Sequence, residues 1–172
     1  MIISNIIDHI RNRTYMGGVD RDKLRVKSTG EVFTPTPLVQ EILEKLPLEQ
    51  FTDPAKTFLD PSCGDGQFLG EVLIRKMENG STFDQALSTT YGVDLMPDNC
   101  IECIKRLFGV NGEPTIEQLT KDDIPKEWRH AGLYGMFKVN GKLCETIVCA
   151  DGLKYDYSFG IPEEFGNGLF SF

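Results

Sequence analysis

Positive charge, histidine and tryptophan are all scarce in this chain of 172 residues. There are 18 Lys and Arg against 26 Asp and Glu, a formal net charge of -8, two histidines and one tryptophan. The shortage of cations argues against unaided DNA binding, which needs a basic face to neutralise phosphates. The one local basic cluster, RNRTYMGGVDRDKLRVK from Arg11 to Lys27, reads as a solvated N-terminal arm ahead of a phosphate footprint. His9 and His130 lie outside every motif and read as surface residues rather than catalytic ones. No apolar run approaches the roughly 20 residues that span a bilayer. The opening MIISNIIDHIRNR has neither the early positive charge nor the small-residue cleavage site of a secretory signal. The expectation is a cytoplasmic protein with no membrane partner. Five cysteines, an odd number with no other sign of secretion, predict reduced thiols. Cys100 and Cys103 would share a helix face, but Cys144 and Cys149, five apart on a predicted strand, point to opposite faces, which disfavours a four-cysteine zinc site. Small buried hydrophobes are the better reading, and no metal is expected.

Beyond the N-terminal segment, Thr36 reads as an N-cap with Pro37 at the first helical position, opening a helix of about three turns through Leu46. KTFLDP is a short buried strand, CGDG a turn, and QFLGEVLIRKMENG a helix ended by Gly80. STFDQALSTT predicts a short helix, YGVDL a second strand, and Pro97 to Phe108 another helix closed by Gly109. The polar insertion Asn111 to Lys138 reads as a loop-rich connection. MFKVNGKLCETIVCADG reads as a hairpin about Asn140-Gly141, whose second arm, ETIVCA, is the next strand of the sheet. Helix, strand, helix, strand, helix, insertion, strand is the front half of a doubly wound, mostly parallel α/β sheet.

Ligands of open α/β sheets bind beyond the carboxyl ends of the strands. Three aspartates fall there: Asp60 after TFL, Asp94 after YGV and Asp151 after IVCA. An aspartate ending one strand often only caps a turn; three in succession point to a site. The glycines of CGDG let backbone N–H groups approach a ligand, and Asp94 suits paired ribose hydroxyls. The turn lacks the full G-x-G-x-x-G pattern. A carboxylate in it repels phosphate but holds an ammonium group, so a cationic nucleoside fits better than a dinucleotide.

Four stretches, TGEVFTPTPLV (Thr29 to Val39), FLDPSCGDGQFL (Phe58 to Leu69), YGVDLMP and VCADGL, resemble the successive cofactor motifs of the N6-adenine-specific DNA methyltransferases. The arrangement is the one in which the FTP segment precedes the glycine motif, and the match in order, type and spacing runs from Thr29 to Tyr157. The resemblance implies a class I methyltransferase, Rossmann-like fold that binds S-adenosyl-L-methionine. By similarity, Phe33, Thr34 and Pro35 contact its methionine part, and Asp60, Cys63, Gly64 and Gly66 line the methionine and ribose pocket. Asp94 accepts from the ribose hydroxyls with Leu95 beside the adenine. Asp151 accepts from the adenine amino group and Leu153 packs on the ring. Core filling is the competing account of Phe33 and Leu95.

The family's Asn-Pro-Pro-aromatic motif, which holds the flipped adenine in line for methyl transfer, is degenerate. EFGNGLFSF offers Asn167 and Phe170 as catalytic remnants, with Gly168-Leu169 in place of the two prolines. An ordinary C-terminal segment accounts for the same residues equally well. The expectation is therefore an arm over 1–28 followed by a truncated S-adenosylmethionine-binding domain over 29–172, without methylation activity alone. It would meet DNA only weakly or through a partner, with a homodimer or partner subunit completing the sheet at the edge of the first strand. An active adenine methyltransferase using Asn167 and Phe170, and a protein that sequesters or consumes the cofactor, are the alternatives.

Overall fold

In the computed structural model of the chain, which describes residues 3–13, 34–123 and 135–159, three short strands run parallel. These are β1 (Phe58–Asp60), β2 (Thr90–Asp94) and, later in the chain, β6 (Ile147–Cys149). Their order across the sheet is β1-β2-β6, with Leu59 opposite Tyr91 and Val93 opposite Val148. Parallel neighbours need long crossovers. The first is supplied by α4 (Gln67–Glu78) and the short α5 (Phe83–Ser88), the second begins with α6 (Pro97–Phe108). The sequence dictates these helices locally. Thr82 and Gln85 form a reciprocal capping box at the start of α5, and Pro97 opens α6 in the first turn, where its missing N–H is no loss.

Strand alternation divides the core. Ile147 and Cys149 belong to one side, with Leu69, Leu73 and Ile74 of α4 and Cys103, Ile104 and Leu107 of α6. Leu59, Tyr91, Val93 and Val148 belong to the other, with Met136 and Phe159. The helix α2 (Thr36–Leu43) and the single turn α3 (Glu49–Thr52) pack on α4 through Val39, Leu43 and Phe51. Among the described residues, then, one sheet face is covered by helices and the other by Met136 and an aromatic hook, Tyr155, Tyr157 and Phe159. A doubly wound sheet needs helices on both faces, and the described residues have them on one. What they form is a mixed α/β fold with a three-stranded parallel sheet. The hook holds two non-glycine residues at positive φ, Tyr157 at 56° and Phe159 at 46°. It is fixed by the Phe159 N–H donating to the Tyr155 hydroxyl at 2.7 Å and by Asp156 accepting from Ser158.

The polar insertion contributes more than loops. Ile116–Gln118 forms β3, which pairs antiparallel with β4 (Phe137–Val139), itself paired with β5 (Lys142–Cys144), in a second three-stranded sheet. Asn140 and Gly141, at φ 51° and 77°, make the predicted hairpin turn. The expected second arm is corrected: β5 closes the hairpin, the chain bends at Glu145-Thr146, and Ile147–Cys149 joins the parallel sheet separately. Cys144 and Cys149 therefore lie on different strands in different sheets. Helix α2 also departs from expectation, with Pro35 at the N-cap position and eight residues instead of three full turns.

Helix α1 (Ile3–Asn12) buries Ile6 and Ile10, four residues apart on one face, against the α4 and α6 side of the core. The first part of the segment read as an arm is thus packed on the domain. Arg11 forms a two-pronged pair with Glu71 at 2.9 Å for each bond, and Arg13 bonds Glu113 at 2.7 Å and Glu102 at 3.2 Å. The two described cations of the basic cluster are turned toward the protein's own carboxylates. Among the described residues no helix is long and apolar enough to cross a membrane.

Candidate functional site

The site is built where β1 and β2 end and α4 begins. The chain leaves β1 through Pro61 and turns back on Gly64 and Gly66, at φ 55° and 84°. The Gly66 N–H donates to the Cys63 carbonyl, and the Cys63 N–H to Val93, each at 2.9 Å. Both glycines are required: Gly64 and Gly66 occupy the left-handed region, and a side-chain carbon on Gly66 would come within 2.7 Å of the Cys103 sulfur.

Asp94, 7% exposed, ties this turn to β2. Its Oδ2 accepts from the Gly64 N–H at 2.9 Å; its Oδ1 accepts from the Met96 N–H at 2.9 Å and the Asn99 side-chain amide at 3.0 Å. Its carbonyl accepts from the Ala150 N–H at 2.9 Å, joining the end of β6. Gly152 sits so close to the Pro61 carbonyl that any side chain would collide with it. The ends of β1, β2 and β6 are therefore one connected structure, and Asp60, Asp94 and Asp151 belong to it.

The three carboxylates differ. Asp60 is half-buried and accepts from the Ser62 N–H at 3.0 Å. Burial, aided by the nearby Asp94 charge, pushes its pKa above the ordinary value of 3.8 against that hydrogen bond. Asp151 is the more open. It accepts from the Leu153 N–H at 3.0 Å and pairs with Lys154 at 3.1 Å, and these two bonds hold its pKa down. Leu95 is 57% exposed and Leu153 97% exposed, which rules out core filling for Leu95 and leaves two apolar side chains standing in solvent beside the strand ends. Thr34, Asp60, Cys63, Gly64 and Phe68 line a cavity of about 140 Å³. Asp60 and Phe68 also line a second cleft of about 310 Å³, apolar, with Leu43, Leu46, Phe58 and Leu59 along the edge of β1 that has no strand partner among the described residues. A larger cavity of about 410 Å³ lies elsewhere, among α1, α2 and α4. Within it Gln40 and Arg11 both donate to Glu71, and Arg75 pairs with Glu44 at 3.7 Å.

Pro35 sits exposed at the start of α2, while Phe33, Asn167 and Phe170 fall outside the described residues. Asp65 needs correction. This carboxylate of the glycine turn is not free to hold a ligand's ammonium group, because its side chain is 1% exposed and pairs with the equally buried Arg106 at 3.2 Å. Any such role falls to Asp60. Cys63 is also turned inward: its thiol donates to the Gly64 carbonyl at 3.8 Å, and the neighbouring Cys103 and burial push it well above its usual pKa.

Sequence reasoning missed Asn99 and Arg106. Asn99 anchors Asp94. Arg106 donates to the Asp65 carbonyl at 2.9 Å and to the carbonyls of Ile10 at 2.8 Å and Arg13 at 3.3 Å, joining the glycine turn to the end of α1. The available signal was their position: both share the helix face of Cys100, Cys103 and Leu107, where a polar residue has to be buried. Among the described residues no group of three or more His, Cys, Asp or Glu is placed to hold a metal ion.

Compared with protein-family models, curated proteins and solved structures, the chain finds no match in any of the three.

Proposed function

We propose that this chain binds S-adenosyl-L-methionine in a pocket of the class I methyltransferase kind, and that it shares its cofactor motifs with the N6-adenine DNA methyltransferases without transferring a methyl group by itself. The observation that carries the reading is the meeting of three parallel strand ends, each closed by an aspartate, over a turn with two left-handed glycines. The strand order β1-β2-β6 keeps the three aspartate-bearing strands side by side in the order in which they occur along the chain.

The residues fit the cofactor in parts. The 140 Å³ cavity beside Asp60 is smaller than the roughly 300 Å³ at which ligand pockets begin, so it suits the amino-acid end of the molecule. Asp60 supplies negative charge there for an ammonium group and, at one remove, for the sulfonium. Leu95 and Leu153 offer the exposed apolar surface that an adenine ring would cover, and Asp151 an acceptor for its amino group. When bound, the cofactor supplies an electrophilic methyl group. The reading without transfer rests on the sequence, in which Gly168-Leu169 follow Asn167 where the family's motif has two prolines.

The test is a calorimetric titration of the full chain with S-adenosyl-L-methionine, repeated on Leu153→Ser. Leu153 is almost wholly exposed, so its replacement leaves the melting temperature unchanged. Covering about half of a leucine side chain is worth about 1 kcal/mol, and the variant should bind roughly fivefold more weakly. No heat of binding from the unaltered chain at millimolar ligand would dispose of the proposal.

A further inference from the structure

Two thiols meet beneath the strap that leaves β2. Cys100 stands in the first turns of α6 and Cys149 ends β6, where it pairs in register with Asp94. Cys149 packs against the core cluster that contains Cys100. The Cys100 sulfur also lies 3.6 Å from the Asp94 carbonyl and 3.7 Å from that of Val148, and the Cys149 sulfur 3.6 Å from the Leu95 carbonyl. Their exposure differs. Cys100 is fully buried, whereas Cys149 is half-buried and its contact with Leu95 is on the solvent side. The neighbouring Cys100 thiol draws the Cys149 thiol below its usual pKa, against burial and the charges of Asp94 and Asp98. An accessible thiol backed by a buried one is the arrangement of a reactive cysteine and its resolving partner.

We propose that Cys149 and Cys100 form a peroxide-responsive pair, in which Cys149 is oxidised first and Cys100 closes a disulfide that staples β6 to α6 under the Asp94-Leu95 strap. In the first step the Cys149 thiolate attacks one oxygen of hydrogen peroxide. The O–O bond breaks, hydroxide leaves and takes up the proton that Cys149 released, and Cys149 becomes a sulfenic acid, oxidised by two electrons. In the second step the Cys100 sulfur attacks the Cys149 sulfur, the S–O bond breaks, and the departing hydroxide leaves as water with the Cys100 proton. Two thiols and one peroxide give one disulfide and two waters. A second pair of neighbouring thiols, Cys63 and Cys103, lacks an entry: both are buried, and the Cys63 thiol is pushed up instead of down. It stays reduced under the same treatment. The inference goes beyond the cofactor reading and does not require it.

The experiment is peroxide treatment of the full chain, followed by thiol counting in denaturant and intact mass. The five free thiols fall to three and the mass drops by two hydrogens, with peptide mapping linking Cys149 to Cys100. Cys149→Ser, a substitution at a half-buried site, keeps all its remaining thiols. Trapping the unaltered chain early with dimedone labels Cys149, and in Cys100→Ser that label persists. Five thiols surviving peroxide, a disulfide that still forms in Cys149→Ser, or a link between Cys63 and Cys103 would each overturn the proposal.

Discussion

Replacing Arg106 by methionine tests whether the glycine turn depends on a single buried tie to α1. Arg106 is 1% exposed and makes four hydrogen bonds, two to Asp65 and one each to the carbonyls of Ile10 and Arg13. Methionine matches the length of the stem and removes only the guanidinium. Breaking one side of a buried ion pair costs about 3–5 kcal/mol, and the last turn of α1 loses a cation aligned with its carbonyls. A loss of about 4 kcal/mol in a chain of this size lowers the melting temperature by roughly 8–16 °C. The assay is thermal and urea unfolding followed by circular dichroism at neutral pH, on Arg106→Met, Asp65→Asn and the double variant. The double variant should be more stable than Arg106→Met, because an amide is cheaper than a carboxylate to leave beside methionine. An Arg106→Met chain melting within about 2 °C of the parent, or a double variant showing the plain sum of the two losses, would refute the tie.

Two further outcomes concern the strand ends. Burial raises the pKa of Asp60 in the folded state, so the folded chain holds its proton to higher pH than the unfolded chain. The stability this gives is complete below pH about 4 and is lost as pH rises through the folded-state value. Asp60→Asn, which keeps an acceptor for the Ser62 N–H, should therefore melt higher than the parent at pH 7 and equally at pH 3, while binding S-adenosyl-L-methionine more weakly; equal melting at pH 7 would contradict the sign. Gly152→Ala drives a methyl group into the Pro61 carbonyl and should cost about 1–3 kcal/mol in urea unfolding, whereas a neutral result would separate the β6 loop from the β1 turn.

What the sequence made legible was local. The helix Pro97–Phe108 and the turn between β1 and α4 were readable because a proline, a glycine pair and 3.6-residue spacing write their own boundaries. The positions of Asp60, Asp94 and Asp151 at strand ends were readable for the same reason. What the sequence hid was any choice settled at long range. Asp65 looked like a ligand-facing charge because its partner is 41 residues away, and α1 escaped notice because its tie to Arg106 spans 96. The hairpin was placed correctly at Asn140-Gly141, yet its second arm was fused with β6. An apolar run such as TIVC carries no mark of which sheet will take it; that depends on β3, which lay inside a segment that reads as loop.

Asp94 shows how the two kinds of information combine. By position alone it reads as a ribose acceptor, and in the fold it is a brace: three donors, from Gly64, Met96 and Asn99, already occupy its two oxygens. A carboxylate has about four acceptor positions, so one remains for a ligand hydroxyl, and a diol can be met twice only if the Asn99 amide yields. The same carboxylate holds the glycine turn in shape and fixes the start of α6. A ligand hydroxyl bonding to it would thus be felt at Gly64 through one hydrogen bond and at α6 through another. Removing Asp94 would remove the turn together with the acceptor, which is why the exposed Leu153, and not Asp94, separates binding from folding at this site.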